Sequence, residues 1–534
     1  RTNIPSTNNT DILNLGAGAG GIATAGRLAK AGYQVTVVEK NDFLGGRCSL
    51  LHHGKYRFDQ GPSLMLMPEV FYETFSDLGT SPSEEKLNFL KCEPNYRIWF
   101  ADHDHLDLST DICKMKPQIE RLEGTDGLQK LFGFLKESGQ HYDLSMKHVL
   151  SKDFPSIFSM LRPEMLISLI SLHPFESMYS RIKRYFKSDK LRRAFTFASM
   201  YLGMNPFEAP GTYSLLQYTE LAHGILYPEG GFVKVLEALA KTGERLGAKF
   251  RLGTEVSSII LSPDNQAQGI KLVSGEDIHA DIVVINADLV YAYNNLLPST
   301  PYAKSLTKKP ASCSSISFFW SFDKIIEELK VHNVFLAEHY KESFDAIFHR
   351  HRLPDEPSFY VNVPSRIDPS AAPEGKDAVV VLVPVGHIDD DPLNPQNWDE
   401  LVRLARDVVI RTIEARTGAT GLRDSIIDES IETPITWNTK FNLDRGAILG
   451  LSHSFFNVLS FRPKIKHSSI QGLFFVGAST HPGAGVPVSL ASAKIVSEAV
   501  VSSLSGRTSQ GHIVAWVILL LSLLTCLYVS FILR

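Results

Sequence analysis

Cysteine is scarce in this 534-residue sequence: Cys48, Cys92, Cys113, Cys313 and Cys526 are scattered, and no Cys-x-x-Cys pair occurs. The scatter excludes a disulfide-stapled fold and a cysteine-based zinc site, and it fits a reducing, cytosol-facing environment. Charge excess is also lacking. Lys+Arg number 54 against 58 Asp+Glu, a net charge of −4 that gives no reason to expect a nucleic-acid partner. No internal repeat, low-complexity tract, metal-ligand cluster or polar catalytic triad stands out. The 44% hydrophobic and 21% charged content describes a globular chain, too long for one core, so two or three domains are expected.

Long apolar runs are absent until the end. Ile513–Leu533 is 21 residues without a charge, behind a polar linker at 502–512. At about 1.5 Å per residue it would span the ~30 Å hydrocarbon core of a bilayer, and it has no polar face for a globular surface. A single transmembrane helix is expected at 513–533. Lys494 and Arg507 before it, against Arg534 beyond, place the body on the cytosolic side of an endomembrane such as the endoplasmic reticulum. Residues 1–10 read as a polar lead-in. With Arg1 rather than Met at the start, a preceding segment is expected to have been removed or left out.

The chemistry is concentrated near the N-terminus. In "DILNLGAGAGGIATAGRLAKAGYQVTVVEK" a strand leads into a glycine turn, an Ala-rich helix follows, and a second strand ends at Glu39. This is a dinucleotide fingerprint in a βαβ context. Gly16 makes the tight turn, Gly18 admits a pyrophosphate, Gly21 allows close helix–strand packing, and Glu39 can accept from a ribose hydroxyl. Asn14 is a polar residue in a strand that should be buried. The motif alone does not separate NAD from FAD. Gly45-Gly46-Arg47 and the turn at Gly61 in "RFDQGPS" resemble the segment of two-domain flavoproteins that contacts the pyrophosphate, which favours FAD over NAD.

A second glycine loop lies far away, in "GLFFVGASTHPGAGVPVSLASAK" (Gly472–Lys494), where a strand meets a permissive loop and then a helix. Between the two, "RIKRYFKSDKLRRAF" (Arg181–Phe195) carries seven Lys/Arg against one Asp, with aromatics interleaved. It reads equally as a solvated helix or as a patch docking on anionic lipid. "FTFASMYLGMNP" (Phe195–Pro206) reads as core packing or as the lining of an apolar substrate site.

These stretches, with "YPEGGF", "NADLVYAY" and "FNLDRGAILGLSHSFFNVLSFRP", together resemble the bacterial- and fungal-type phytoene desaturases from about Asp11 to Val500. The resemblance implies an α/β, Rossmann-like, two-domain FAD-binding flavoprotein of amine-oxidase/GDI-like architecture. Its cofactor domain would be discontinuous (11–90, 225–295 and 463–501), beside an α+β substrate domain (91–224 and 296–462). It implies cofactor contacts from Val256 and Asp288, and from Gly477, Pro482, Gly485 and Val486, the last four closing over the flavin ring. The helix that follows would point its N-terminus at the isoalloxazine and stabilise negative charge there. Pro487 suits its first turn.

The implied activity is multi-step desaturation of phytoene to lycopene or one step beyond, by hydride transfer from a bilayer-dissolved hydrocarbon to FAD, with NAD as the alternative. A carotenoid isomerase or oxidase, or a non-catalytic GDI-like prenyl-binding protein, stays open on the same fold. Quinone or oxygen as electron acceptor and self-association stay open too. No residue is assigned to catalysis, His481 included.

Overall fold

The computed structural model describes residues 10–389 and 395–505. Its nucleotide-binding layer is a five-stranded sheet with every pairing parallel. The strands are β1 (Asp11–Leu15), β2 (Gln34–Val38), β3 (Lys249–Arg251), β4 (Ile282–Ile285) and β5 (Leu473–Phe475), in the order β5-β4-β1-β2-β3. Helix α1 (Ala19–Lys30) crosses from β1 to β2 and packs between α2 (Val233–Arg245) and α3 (Val486–Leu504).

Side chains alternate along β1, so it feeds two cores. Ile12 joins Ile22, Leu28 and Val35 beneath α1, whereas Leu13 and Leu15 join Ile259 and Ile270 of an antiparallel three-stranded layer on the opposite face. A central strand buried on both faces reads as a near-continuous apolar run, and Asn14 is the exception. Its amide donates to the Gly16 carbonyl (3.0 Å), bracing the glycine turn from below.

A seven-stranded sheet forms the second layer. Its strands run in the order Ile426–Glu432, Ser314–Phe322, Ala378–Val385, Phe359–Asn362, His332–Phe335, Tyr96–Trp99 and His105–Leu108. Only His332–Phe335 and Tyr96–Trp99 pair in parallel. Period-2 alternation again sorts the faces. Ile316, Phe318, Trp320 and Phe322 pack with Val409 and Ile413 of the Trp398–Thr417 helix, while Ser315 and Ser317 face the other way, into a cavity between the layers.

Residues 112–224, mostly helical, cover one side of this cavity. Within them the Arg181–Phe195 stretch turns its phenylalanines inward and leaves Lys183, Arg184 and Lys187 exposed. Ile182, Phe186, Leu191 and Phe195 are buried, Arg181 is paired with Glu137 and Glu176, and Lys190 with Asp102 and Asp104. Ion pairing and aromatic packing tie its inner side to the domain.

The expected transmembrane helix at 513–533 lies outside the described residues. Among the described residues α3 is long and apolar enough to cross a membrane, but 44% of its most apolar window is buried, and it packs on α1 as a core helix.

Buried polar contacts join the layers. The Asp59 carboxylate accepts from the Tyr227 hydroxyl (2.6 Å) and the Phe232 N–H (2.7 Å), which locks the "RFDQGPS" strand to the "YPEGGF" turn. Asp368 accepts from Arg57 (2.7 Å) and from the Gly230 N–H (2.7 Å). Removing Asp59 strands two buried donors. Asp59→Ala is expected to cost roughly 3 kcal/mol or more, and Asp59→Asn distinctly less because its amide oxygen can still accept. Thermal midpoints of the two variants check the order.

Candidate active site

One cavity of about 470 Å³ runs between the layers, and its two ends differ in chemistry. The first end is backbone and charge. Gly16, Gly18, Ala19 and Gly20 border it where α1 begins, and Gly485–Ser489 border it where α3 begins. Neither helix has a side-chain cap or an acidic residue in its first turn; Gly485 (φ 108°) is the N-cap of α3, and Pro487 stands in its first turn. Two helix N-termini therefore present N–H groups to one space, an arrangement that favours an anion.

Glu39 sits beside them, almost fully buried. Its carboxylate accepts from the Ala17 N–H (2.8 Å) and from the backbone and side-chain amides of Asn41 (both 2.9 Å). These donors fix its rotamer and leave lone pairs for a hydroxyl. Arg47 donates to the Ile448 carbonyl, and desolvation pulls its guanidinium below the ordinary range. Asp288 caps a short turn by accepting from the Tyr291 N–H (3.0 Å), and burial pushes its carboxyl up to about 6.

The other end is hydrocarbon and aromatic. Phe197, Met200, Tyr201 and Leu202 line it with Leu216, Leu382 and Pro384, so the Phe195–Pro206 stretch lines the cavity as well as packing the core. Behind Tyr201 is a fully buried acid, Glu220, which receives the Tyr96 hydroxyl. Desolvation pushes its pKa up to about 8. Tyr360 lines the cavity too, bonded to Ser63 (2.8 Å) and to His332 (2.6 Å).

Of the residues singled out in the sequence, Gly16, Gly18, Glu39, Gly46, Arg47, Gly61, Val256, Asp288, Gly477, Gly485 and Val486 all border this cavity. Two do not. Gly21 lies behind it, where a Cβ would collide with the Gly16 carbonyl, so its service is helix–strand packing. Pro482 is buried in the loop wall. Beside it His481 bonds the Lys152 carbonyl (2.7 Å), and desolvation lowers its pKa to about 4, so it is a neutral tether.

Sequence reasoning missed Asn286, Glu220 and Arg462. Asn286 had a local signal, a polar residue ending a buried strand. Its side chain donates to the Val476 carbonyl (2.9 Å) and lies where a Cβ on Gly18 or Gly477 would approach within 2.9 Å. Arg462 is buried and donates to the carbonyls of Leu451, Ser452, Asn457, Ala478 and Thr480, holding the loop walls together. Nothing near it in sequence announces those partners.

A glycine-lined cleft at a helix start, a fixed acceptor, a desolvated Arg and an adjoining apolar chamber suit a dinucleotide-binding α/β protein with an apolar ligand. A family model for flavin-containing amine oxidoreductases matches residues 19–501. A phytoene desaturase of Fusarium fujikuroi is 56% identical over 516 residues, covering 93% of this chain and 90% of that protein. One of Neurospora crassa is 56% identical over 498 residues, covering 91% and 84%. The solved structure of a Methanosarcina mazei oxidoreductase superposes with a TM-score of 0.60 at 18% identity, covering 91% of this chain and 100% of that one. The chain belongs to the flavin-containing amine oxidoreductase family and, within it, to the phytoene desaturases. A flavin is the cofactor of that family, and the nicotinamide alternative is not needed.

Two outcomes follow from the geometry. Gly21→Ala, which meets fixed backbone, is expected to cost more than about 3 kcal/mol, whereas Gly18→Ala, 2.8 Å from the Asn286 side chain, costs about 1–3 kcal/mol. Thermal melts with flavin content read out the difference. Glu220 generates the other. Its folded pKa lies above its unfolded value, so its contribution to stability is full below about 4.5 and is lost as pH rises through about 8. Wild type should lose stability relative to Glu220→Gln across that window, and a difference independent of pH would show that Glu220 is not held protonated.

Proposed function

We propose that this chain removes hydrogen from phytoene in carotenoid biosynthesis, forming several double bonds and ending at lycopene or one step beyond. The observation that carries the reading is the two-ended cavity, in a chain more than half identical to fungal phytoene desaturases along nearly its whole length. Phytoene has no polar handle, so recognition must be by shape and burial, which an aromatic and aliphatic chamber supplies.

The residues present fit FAD. Gly18 leaves the space that a Cβ would take, Glu39 offers a fixed acceptor, and Arg47 with the α1 start offers positive charge to a diphosphate. Gly46, Gly61, Val256 and Asp288 would complete the nucleotide side, and Gly477, Gly485 and Val486 the ring side. When bound, the flavin supplies the hydride acceptor that no side chain can provide. The protein's own part is placement and dryness. The α3 start faces the ring side with its free N–H groups, Phe197 and Met200 hold the hydrocarbon, and the Arg462-bound loops exclude water.

The cofactor domain is read as 11–90, 225–295 and 463–501, and the substrate domain as 91–224 and 296–462. The uncharged run at 513–533 is read as a single-pass membrane anchor with the body on the cytosolic side, which would raise the effective concentration of a bilayer-dissolved substrate. Quinone or oxygen would reoxidise the flavin.

Under anaerobic conditions one equivalent of phytoene should bleach the oxidised flavin band in a single turnover, before any acceptor is added. Stopped-flow absorbance with product spectra reads this. Bleaching that strictly requires NAD would overturn the flavin assignment.

A further inference from the structure

Turning a saturated carbon pair into a double bond removes two hydrogens, and a flavin accepts one of them as hydride. The other leaves as a proton, and a group at the apolar chamber has to take it. The carboxylates that border the cavity, Glu39, Asp288 and Glu255 next to Val256, stand at its nucleotide end. On the chamber side two tyrosines stand at the wall, Tyr360 and Tyr201. The Tyr360 hydroxyl is engaged by Ser63 (2.8 Å) and His332 (2.6 Å). The Tyr201 hydroxyl is buried and uncommitted, and it faces the Glu220 carboxyl.

Glu220 is an unusual residue to bury. It lies in a single π-helical turn, Thr219–His223, a local departure that recurs at functional sites. Asn95 holds its backbone, the Asn95 Nδ2 donating to the Glu220 carbonyl (2.5 Å). Of the carboxyl oxygens, Oε2 accepts from the Tyr96 hydroxyl, and Oε1 is buried without a partner. The titratable groups that face this carboxyl are Tyr96, from the strand Tyr96–Trp99, and Tyr201, from the short helix Phe197–Leu202. No cation pairs with it among the described residues. A buried acid with one oxygen left open is a cost that an apolar residue of similar size would not carry. Its desolvation-raised pKa of about 8 leaves a minor ionised fraction at neutral pH, of a basicity matched to accepting a proton there.

We propose that Glu220, acting through the Tyr201 hydroxyl, takes the proton released in each desaturation. As hydride leaves one carbon for the flavin, the C–H bond of the adjacent carbon gives its electron pair to the new C=C bond. That proton passes to the Tyr201 oxygen while the Tyr201 proton passes to Oε1 of the Glu220 carboxylate. Tyrosine is regenerated neutral, and the acid ends protonated. Glu220 works one hydrogen bond behind the wall, which keeps its charge out of contact with hydrocarbon. Polar groups lead on from it. The unpartnered Oδ1 of buried Asn95 stands near Gly224, beside the exposed Lys91–Thr110 pair (2.6 Å), so the proton has a way to the surface. The proton transfer rests on the desaturase reading above; the open acid behind the wall does not.

The test uses the full chain, loaded with flavin and given vesicle-borne phytoene, in anaerobic single turnovers stopped by rapid quench with the polyene product read by absorbance. In the wild type the rate should climb about tenfold per pH unit and level off above about pH 8. Glu220→Gln, with full flavin content, should lower the plateau rate by about a hundredfold or more and flatten the rise. Tyr201→Phe should do the same, and Glu220→Asp should recover part of the rate together with a pH dependence. A Glu220→Gln protein that keeps the wild-type rate overturns the proposal. So does one that is slower but keeps the wild-type pH dependence, which is what a purely structural role would give. Infrared spectra of the wild type without phytoene, with Glu220→Gln subtracted, give a readout apart from turnover. The C=O stretch of a protonated carboxyl should fade as pH rises through about 8, and a band that does not titrate overturns the relay. A wild type that forms no polyene at any pH overturns the desaturase reading and the relay with it, whereas wild type and Glu220→Gln forming it alike overturns the relay alone.

Discussion

The cofactor end of this molecule depends on the Asn286 side chain. Its Nδ2 donates to the Val476 carbonyl (2.9 Å), and its backbone N–H donates to the Leu15 carbonyl (2.6 Å). It thus ties the first strand to the last through the end of the strand between them. Gly16, Gly18, Gly20 and Gly477 are packed around it so closely that a Cβ at any of them would approach Asn286 within about 3.2 Å. One amide sets the separation of the two glycine loops, and hence of the two helix starts that face the cavity. A hydrogen bond of this kind adds only about 1 kcal/mol net, but losing it would leave the buried Val476 carbonyl without its partner.

The change from a polar to an apolar cavity has a simple origin in β geometry. Along Ser314–Phe322 the odd positions Ser315 and Ser317 face the cavity, and the even positions carry Ile, Phe and Trp into the core against the Trp398–Thr417 helix. Small residues on the cavity side leave room, and the aromatic wall comes from Phe197–Leu202 across it. Glu220 and Tyr96, behind that wall, are polar but buried. Burial keeps the acid protonated, so the chamber carries little charge near an apolar ligand.

The Arg181–Phe195 segment and the Pro163–Leu172 helix show how composition misleads about surfaces. The first is dense in Lys and Arg, yet Arg181 is matched by Glu137 and Glu176 and Lys190 by Asp102 and Asp104, of which only Glu176 is near in sequence. The second has the composition of a core helix, yet much of its apolar surface is outside. Pattern gives the character of a face; only packing tells which faces are used up.

What could be read from residues alone was what local sterics and short-range geometry dictate. The spacing of Gly16, Gly18 and Gly21 before a helix, Glu39 at the end of the next strand, and Pro487 after a glycine loop each constrain backbone within a few residues, so the βαβ unit and most of the residues that border the cavity beside it were legible. Similarity along the whole chain extended this to the later loops. The tertiary structure alone decided that Pro482 stands behind the cavity wall, that Asn286 rather than a loop residue joins the glycine turns, and that Asp59 meets Tyr227 and Arg462 meets Leu451 through Thr480. Those contacts are set by which buried donors find which acceptors once the layers close, and a linear sequence holds no mark of that pairing.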